Sequence, residues 1–323
     1  MENSKRVLLT EKHMGGNFIF QCFPKSSQDK KFVEAGALYG FEEVERVESL
    51  LTDFKDSPFN EINYFAGKRP VKVCSEIFEI VKRSLELSKK SEGAFDISFA
   101  SVGHYWRECR KSGSAPDEKK VASLSRLINF KMIELNQTDR SVFLPEKEMR
   151  IGLGGIGKGY AVDQGFEKIK SIGINNFYFN GSGDIRVDSS SCAPRPWKIG
   201  VRNPFSEDSN QSCGLIQVVS GAVATSGIYN NFIRGVGKNT HHILDPRSGH
   251  SSEGLVSATV QSETAEVCDT TATLVMVLGQ KRGMKYLNNN NIDAFLIDNT
   301  GKVHLSKKAF SNINQPAKDS AHA

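Results

Sequence analysis

The sequence of 323 residues predicts an α+β fold. Three observations carry that prediction. Helical and strand periodicities both occur, but without the regular β-α-β succession of a parallel sheet. Short strand-like runs come in neighbouring pairs around glycine turns, the signature of antiparallel hairpins. The hydrophobic share of 38% and charged share of 24% are those of an ordinary globular protein with a sizeable core.

Taken in order, "VLLTEKHMGGNFIFQCF" reads as two strands around a Gly-Gly turn. Residues 30–51 carry Val44, Val47, Leu50 and Leu51 at helical spacing. "SEIFEIVKRSLELSKKSEG" sets Ile77, Ile80, Val81 and Leu85 on one helix face, with Gly93 as the stop. The polar run 110–120 reads as a surface loop. A helix over 158–171 precedes "NNFYFNGSGDIRV", a strand running into a turn. "WKIGVRNP", "GLIQVVSGAVATSG" and "LVSATVQS" supply further strands. Residues 263–279 form a helix with Ser262 as its N-cap. "DAFLIDNTGKVHLS" closes as a hairpin around Asn299-Thr300-Gly301. Residues 1–310 thus make one domain, or two closely packed subdomains, and 311–323 a disordered tail. No internal repeat is present.

The net charge of +5 is mild and interleaved, so neither nucleic acid nor a membrane surface is an expected partner. No run reaches the length of a membrane span, and the first residues hold no apolar leader or anchor. Six scattered cysteines without a C-x-x-C pair argue for reduced thiols and a cytoplasmic location.

"IGLGGIGKGYAVD", Ile151 to Asp163, matches two well-known patterns on paper. Gly152, Gly154 and Gly157 spell a dinucleotide fingerprint, but "SVFLPEKEMR" before them is a poor buried strand. No carboxylate stands about 20 residues later for a ribose. Gly152 through Lys158 also spell a P-loop, which fails at Gly159, where a magnesium-binding hydroxyl belongs. Two readings stay open: glycines that let backbone groups approach a phosphate beside Lys158, or a tight turn with a solvated lysine.

Three further groups carry chemistry. His241 and His242 precede the Asp245-Pro246 turn, where an imidazole near neutral pKa suits proton transfer; the alternative is one packed and one exposed histidine. Asp269 and Thr273 stand at i, i+4 on a helix, a hard-oxygen pair suited to Mg²⁺ or else a solvated acid beside a back-bonded threonine. Thr225-Ser226-Gly227 follow an apolar strand, where hydroxyls and amides can receive phosphate oxygens.

In combination these segments resemble the FAD:protein FMN transferases, the ApbE-type flavin transferases. The matching blocks run in family order: "MGGNF", "DSPFNEIN", "EGAFDIS", "LGGIGKGYAVD", "NGSGDI", "WKIGV", "VATSG", "HHILDPRSG" and "SATVQSETAEVCDTTATLVMVLG", across about residues 14–280. The resemblance implies an ApbE-like fold. It also implies Mg²⁺-dependent transfer of FMN from FAD to a Thr/Ser hydroxyl of a target flavoprotein, with release of AMP.

Carried over residue by residue, it implies metal ligation by the Gly155 carbonyl, Asp269 and Thr273. Lys158, Met14, Ala94, Phe95, Asp96 and Ile243 fall at positions that contact FAD, with Phe54 near a stacking tyrosine. Thr225 and Ser226 would line the phosphates. His242 would handle the proton, with Asp245 nearby and Asp269 as the other catalytic group.

Two positions depart from the family pattern. Gly152 stands where an FAD-contacting aspartate is usual, and Ala272 replaces an acid often found just before the metal threonine. Both departures remove oxygen ligands. They motivate two alternative functions: a flavin-binding module without transfer, or an FAD pyrophosphatase giving FMN and AMP.

Overall fold

Strands β1 (Val7–His13) and β2 (Gly16–Cys22) pair antiparallel from Val7 against Cys22 to His13 against Gly16. Met14 and Gly15 both have positive φ, 50° and 77°. Two successive left-handed residues are what a two-residue hairpin of right-twisted strands requires. The turn is therefore Met14-Gly15 rather than Gly-Gly, and Gly16 already belongs to β2.

The computed structural model describes residues 6–24, 29–189, 195–208, 210–228 and 241–307, with the backbone of 313–314. After the hairpin come α1 (Lys30–Leu51), α2 (Asn60–Tyr64), β3 (Val71–Lys72), α3 (Ser75–Lys90), α4 (Ala100–Ser112), α5 (Glu118–Ser125), β4 (Glu134–Asn136) and β5 (Ser141–Phe143). The second half holds α6 (Gly157–Ser171), β6 (Phe177–Gly181), β7 (Asp184–Asp188), β8 (Trp197–Arg202), β9 (Ser212–Val218) and β10 (Ser220–Gly227). It closes with β11 (Leu255–Ser262), α7 (Ala265–Asn289), β12 (Asp293–Asp298), β13 (Val303–Leu305) and β14 (Ile313–Asn314).

The α+β reading stands, since an eight-stranded sheet runs β1-β2-β6-β7-β10-β11-β12-β13 with its neighbouring strands antiparallel. Its two faces follow the strand period of two. Phe177, Phe179, Ala222, Ala224, Ala294 and Leu296 face a helical layer of α1, α6 and α7. Ile185, Val187, Val223, Phe295 and Ile297 face the other way, onto Trp197, Ile199, Val201, Ile216 and Val218 of a three-stranded sheet, β14-β9-β8. A helix layer, a central sheet and a small outer sheet result. α1 joins the main core through Val33, Ala37, Phe41, Val44 and Val47, one face at i, i+3/i+4 spacing.

Five further readings differ from the structure. The 110–120 stretch is mostly helical: α4 runs on to Ser112, α5 starts at Glu118, and only 113–117 are loop. Gly113 ends α4 at φ 70°, and Asp117 caps α5 by accepting from Lys119 and Lys120. "NNFYFNGSGDIRV" is a complete hairpin, β6 paired with β7. Ser262 is not the cap of α7, because it is still paired in β11 with Ala222; Thr264 caps instead, accepting from the Val267 N–H. Gly279, at φ 71° and ψ 176°, breaks α7 into two stretches, so position 279 marks a break and helix resumes to Asn289. Within the expected tail, Ile313–Asn314 pairs with β9, and the rest of 311–323 lies outside the described residues.

Candidate functional site

The glycine stretch enters α6 along a fixed path. Asn63 brackets Ile151, accepting from its N–H at 2.8 Å and donating to its carbonyl at 3.0 Å. The Gly152 N–H donates to the Ile97 carbonyl at 2.9 Å. At Gly155 a Cβ would stand 3.0 Å from Thr273 Cγ2, 3.3 Å from Thr273 Oγ1 and 3.3 Å from Phe95 Cε2. Glycine here lets the backbone touch α7 and the buried Phe95 ring together. Gly159 goes further: its Cβ would lie 2.4 Å from the Ala265 carbonyl oxygen, so α6 and α7 meet backbone to backbone.

That approach brings three charges together. Lys158 Nζ donates to Asp184 Oδ2 at 2.5 Å, and Asp269 Oδ2 accepts the Gly159 N–H at 3.1 Å. Asp184 is 2% exposed and Asp269 3%. Burial raises the pKa of Asp269, and the neighbouring Asp184 charge raises it further, against the Lys158 ammonium and the Gly159 N–H. Asp184 is likewise raised by burial and drawn back by Lys158. Burial alone would lower the Lys158 pKa, but Asp184 and Asp269 raise it above its ordinary value, so the ammonium stays charged. Sequence reading missed Asp184 as a site residue. The signal available was its place in "NGSGDI", an acid emerging from a glycine turn onto β7.

Hydroxyls complete this side. Thr273 lies one turn beyond Asp269 on α7 and its Oγ1 is 3.2 Å from Ser226 Oγ of β10. Thr225 Oγ1 instead pairs with Thr259 Oγ1 across the strands at 2.9 Å. Among the described residues no group of three or more His, Cys, Asp or Glu gathers as a metal cluster. Hydroxyl, backbone and carboxylate oxygens at Thr273, Gly155 and Asp269 are the donor set present. Such hard oxygens fit Mg²⁺, which keeps several waters and needs few protein ligands.

The other expected residues spread around this centre. Ala94 and Phe95 are buried, and Phe95 backs Gly155. The Asp96 carboxylate is spent internally, accepting from Ser98 N (2.9 Å), Ser98 Oγ (2.6 Å) and Phe130 N (2.9 Å). Burial raises its pKa against those donors. The Met14 N–H donates to Glu48 Oε2 at 2.7 Å, beside an open depression of about 530 Å³ lined by His13, Met14, Asn17 and Glu48. Phe54 is 59% exposed, and the Arg107 guanidinium lies 3.4 Å above its ring.

His241 and His242 take different roles. His241 is buried; its Nε2 donates to the Ser252 carbonyl (2.9 Å), which only accepts, and its Nδ1 accepts from Ile243 N (3.3 Å). His242 is half-buried, and its Nδ1 is shut from solvent with no partner among the described residues. Burial, with Arg110, His241 and Lys158 around it, pushes the His242 pKa down to about 4. Asp245 does not reach it: its carboxylate is taken by Arg247, at 2.6 to 2.8 Å. Ile243 is buried. α4 holds this segment in place, with Trp106 Nε1 donating to the Gly249 carbonyl at 2.8 Å and Cys109 packed with Leu244.

The two departures now have surroundings. At Gly152 a Cβ would stand 2.7 Å from Asp53 Oδ2, so a carboxylate from another segment, paired with His104 at 2.9 Å, occupies the space of a side chain there. Ala272 is fully buried in the main apolar core. Among the described residues no helix is long and apolar enough to cross a membrane, and five cysteines are free while Cys192 lies outside them.

A family model described as the ApbE family matches residues 25–296. An FAD:protein FMN transferase of Klebsiella pneumoniae (strain 342) is 30% identical over 276 residues, covering 84% of this chain and 85% of its own. One from Haemophilus influenzae is 24% identical over 303 residues, covering 88% of each. Among solved structures, the ApbE protein of Thermotoga maritima superposes with a TM-score of 0.82 at 23% identity, over 94% of this chain and 97% of that one. The flavin transferase ApbE of Vibrio cholerae gives 0.80 at 24%, over 95% and 99%. At these identities the two structures speak for the fold.

Proposed function

The chain belongs to the ApbE family, and we propose from its own residues how it transfers FMN from FAD to a target flavoprotein. One observation carries the proposal: Lys158, Asp184 and Asp269 converge beside Thr273, Ser226 and Gly155 where α6, β7, α7 and β10 meet. Two buried carboxylates and a lysine, rimmed by hydroxyls, suit a charged pyrophosphate and a hard cation.

Asp269, Thr273 and the Gly155 carbonyl would hold Mg²⁺, which would supply positive charge to the phosphoryl oxygens. Lys158 meets the pyrophosphate as a second point charge, with Asp184 holding its ammonium in place. Ser226 lines the phosphates, whereas Thr225, on the opposite face of β10 and paired with Thr259, does not. Phe95, Ala94 and Met14 border the flavin and Phe54 presents a ring for stacking. Asp96 acts at one remove, by fixing the 94–98 segment. Ile243 is buried in the main core, next to His242 in sequence.

The acceptor Thr/Ser oxygen attacks the phosphorus of the FMN half. The bond to the AMP half breaks, and AMP leaves with the bridging oxygen. His242 takes the hydroxyl proton as a neutral imidazole, the form that burial and nearby cations maintain. Arrival of an anionic pyrophosphate reverses that field and raises its basicity at the moment of use. Free thiols support a reducing, cytoplasmic setting.

The test is intact-mass measurement of a flavoprotein fragment bearing a Thr/Ser acceptor, after incubation with the protein, FAD and Mg²⁺. The expected outcome is a gain of one FMN moiety and stoichiometric AMP. FMN and AMP without acceptor gain would indicate a pyrophosphatase, and bound FAD with no product a flavin-binding module.

A further inference from the structure

A ladder of ion pairs with alternating sign joins α6 to β7: Lys158–Asp184, Arg186–Asp163 and Lys170–Asp188, at 2.5, 2.6 and 2.9 Å. Asp184, Arg186 and Asp188 share one face of β7 by the two-residue period of a strand. The first rung is in the candidate site. The middle rung, one turn behind it, also grips α7. Asp163 Oδ1 accepts the Ala265 N–H and Oδ2 accepts the Glu266 N–H, both at 2.9 Å.

These are two of the N–H groups that the start of a helix leaves without partners. Thr264 accepts from the next, Val267. The turn Ala265–Asp269 is therefore held to α6 at both ends, by Asp163 below and by the Gly159 N–H to Asp269 above. Gly159 leaves no room for α7 to slide, since its Cβ would already overlap the Ala265 carbonyl. Arg186 fixes the Asp163 carboxylate from β7 and also reaches Glu167 at 3.2 Å.

We infer that Asp163, held by Arg186, is a positioning residue: it sets where α7 begins and so places the Asp269 and Thr273 oxygens. It touches no substrate. Without it, the buried Ala265 N–H and the part-buried Glu266 N–H lose their acceptor and the first turn of α7 is free to shift, carrying Asp269 with it. A small cation tolerates only small displacements of its ligands. The inference rests on the reading of Asp269 as a metal ligand.

Isothermal titration of the flavin-free protein with Mg²⁺ tests it without relying on turnover. Asp163→Asn, which keeps the shape and one acceptor, should weaken Mg²⁺ binding about 10-fold, and Asp163→Ala more. Arg186→Gln, which leaves both N–H bonds in place, should give a smaller loss in the same direction. Asp269→Asn should remove binding. A purely stabilising role would lower Tm and leave the Mg²⁺ affinity of the folded variants at the parent value, and that result overturns the inference. If Asp163→Asn does not fold, Arg186→Gln alone decides on the same readout. If Asp269→Asn binds Mg²⁺ as tightly as the parent, the metal assignment itself fails and this inference with it.

Discussion

Where α6, β7 and α7 meet, each charged side chain finds its partner inside the protein: Lys158 on Asp184, Arg186 on Asp163, Asp269 on the Gly159 N–H. Along α4 and the segment 241–250 the arrangement differs. Among the described residues Arg110 makes no ion pair, the Arg107 guanidinium lies on the Phe54 ring, and His242 Nδ1 is buried without a partner. The first region is complete before any ligand arrives. The second holds positive charge without an ion-pair partner, which an anionic substrate would complete, and a buried imidazole nitrogen without a hydrogen bond. A group-transfer site needs both: a rigid frame for the phosphates, and a face that changes state when substrate enters.

The contrast can be broken from the open side first. His242→Asn should lower the transfer rate by about 10²- to 10⁴-fold, the usual contribution of a positioned base, with FAD binding little changed. The same variant should alter acid stability. The His242 pKa of about 4 lies below the ordinary 6.5, because of burial and the charges of Arg110, His241 and Lys158. The unfolded chain therefore binds the proton first. Stability is intact above pH 6.5 and falls as pH drops from 6.5 towards 4, by about 3 kcal/mol at most. Urea unfolding at pH 7 and pH 4.5 should show His242→Asn losing less across that window than the parent. Equal losses would mean that His242 takes up its proton in the fold at the same pH as in the unfolded chain.

From the complete side, Lys158→Met leaves Asp184 and Asp269 facing each other without a cation. Stability at pH 7 should fall by about 3 kcal/mol, and the loss should shrink at lower pH as the carboxylates take up a proton. A variant as stable as the parent would show that the frame does not depend on this ion pair.

Much of the frame was legible beforehand, and the reasons are specific. α1, α3 and β11 carry long, clean periodicities, and Asn299-Thr300-Gly301 announces its hairpin. α4 did not show, because Val102, Trp106 and Cys109 are its main apolar anchors among Gly103 and charged residues. Ser262 and Thr264 are equally good caps on paper. Only the pairing of Ser262 with Ala222 decides between them. At the site, Gly155, Asp269 and Thr273 stood out through the family resemblance, and the fold gathers them. Asp184, Asp163 and Arg186 did not, because sequence spacing says nothing about which distant carboxylate is buried against which cation. The short Asp53 approach to Gly152 was equally invisible, since it joins segments about 100 residues apart.

That approach joins the two regions and gives the smallest of these effects. Gly152 opens the glycine stretch, while Asp53 is held by His104 of α4. Gly152→Ala would place its Cβ 2.7 Å from Asp53 Oδ2 and should cost about 1–3 kcal/mol through overpacking. Adding Asp53→Ala should recover most of that loss in urea unfolding. Additive losses would show that the two residues do not share the space.

On the proposed reading, FAD is cleaved where Asp269 meets Lys158 and Asp184. Intact-mass spectrometry of the acceptor, after equal incubation with FAD and Mg²⁺, compares the parent with Asp269→Asn. The parent should add one FMN moiety per acceptor, and the folded variant, still able to bind FAD, should leave the acceptor unchanged. Flavinylation by Asp269→Asn at the parent's rate would show that cleavage does not depend on this carboxylate.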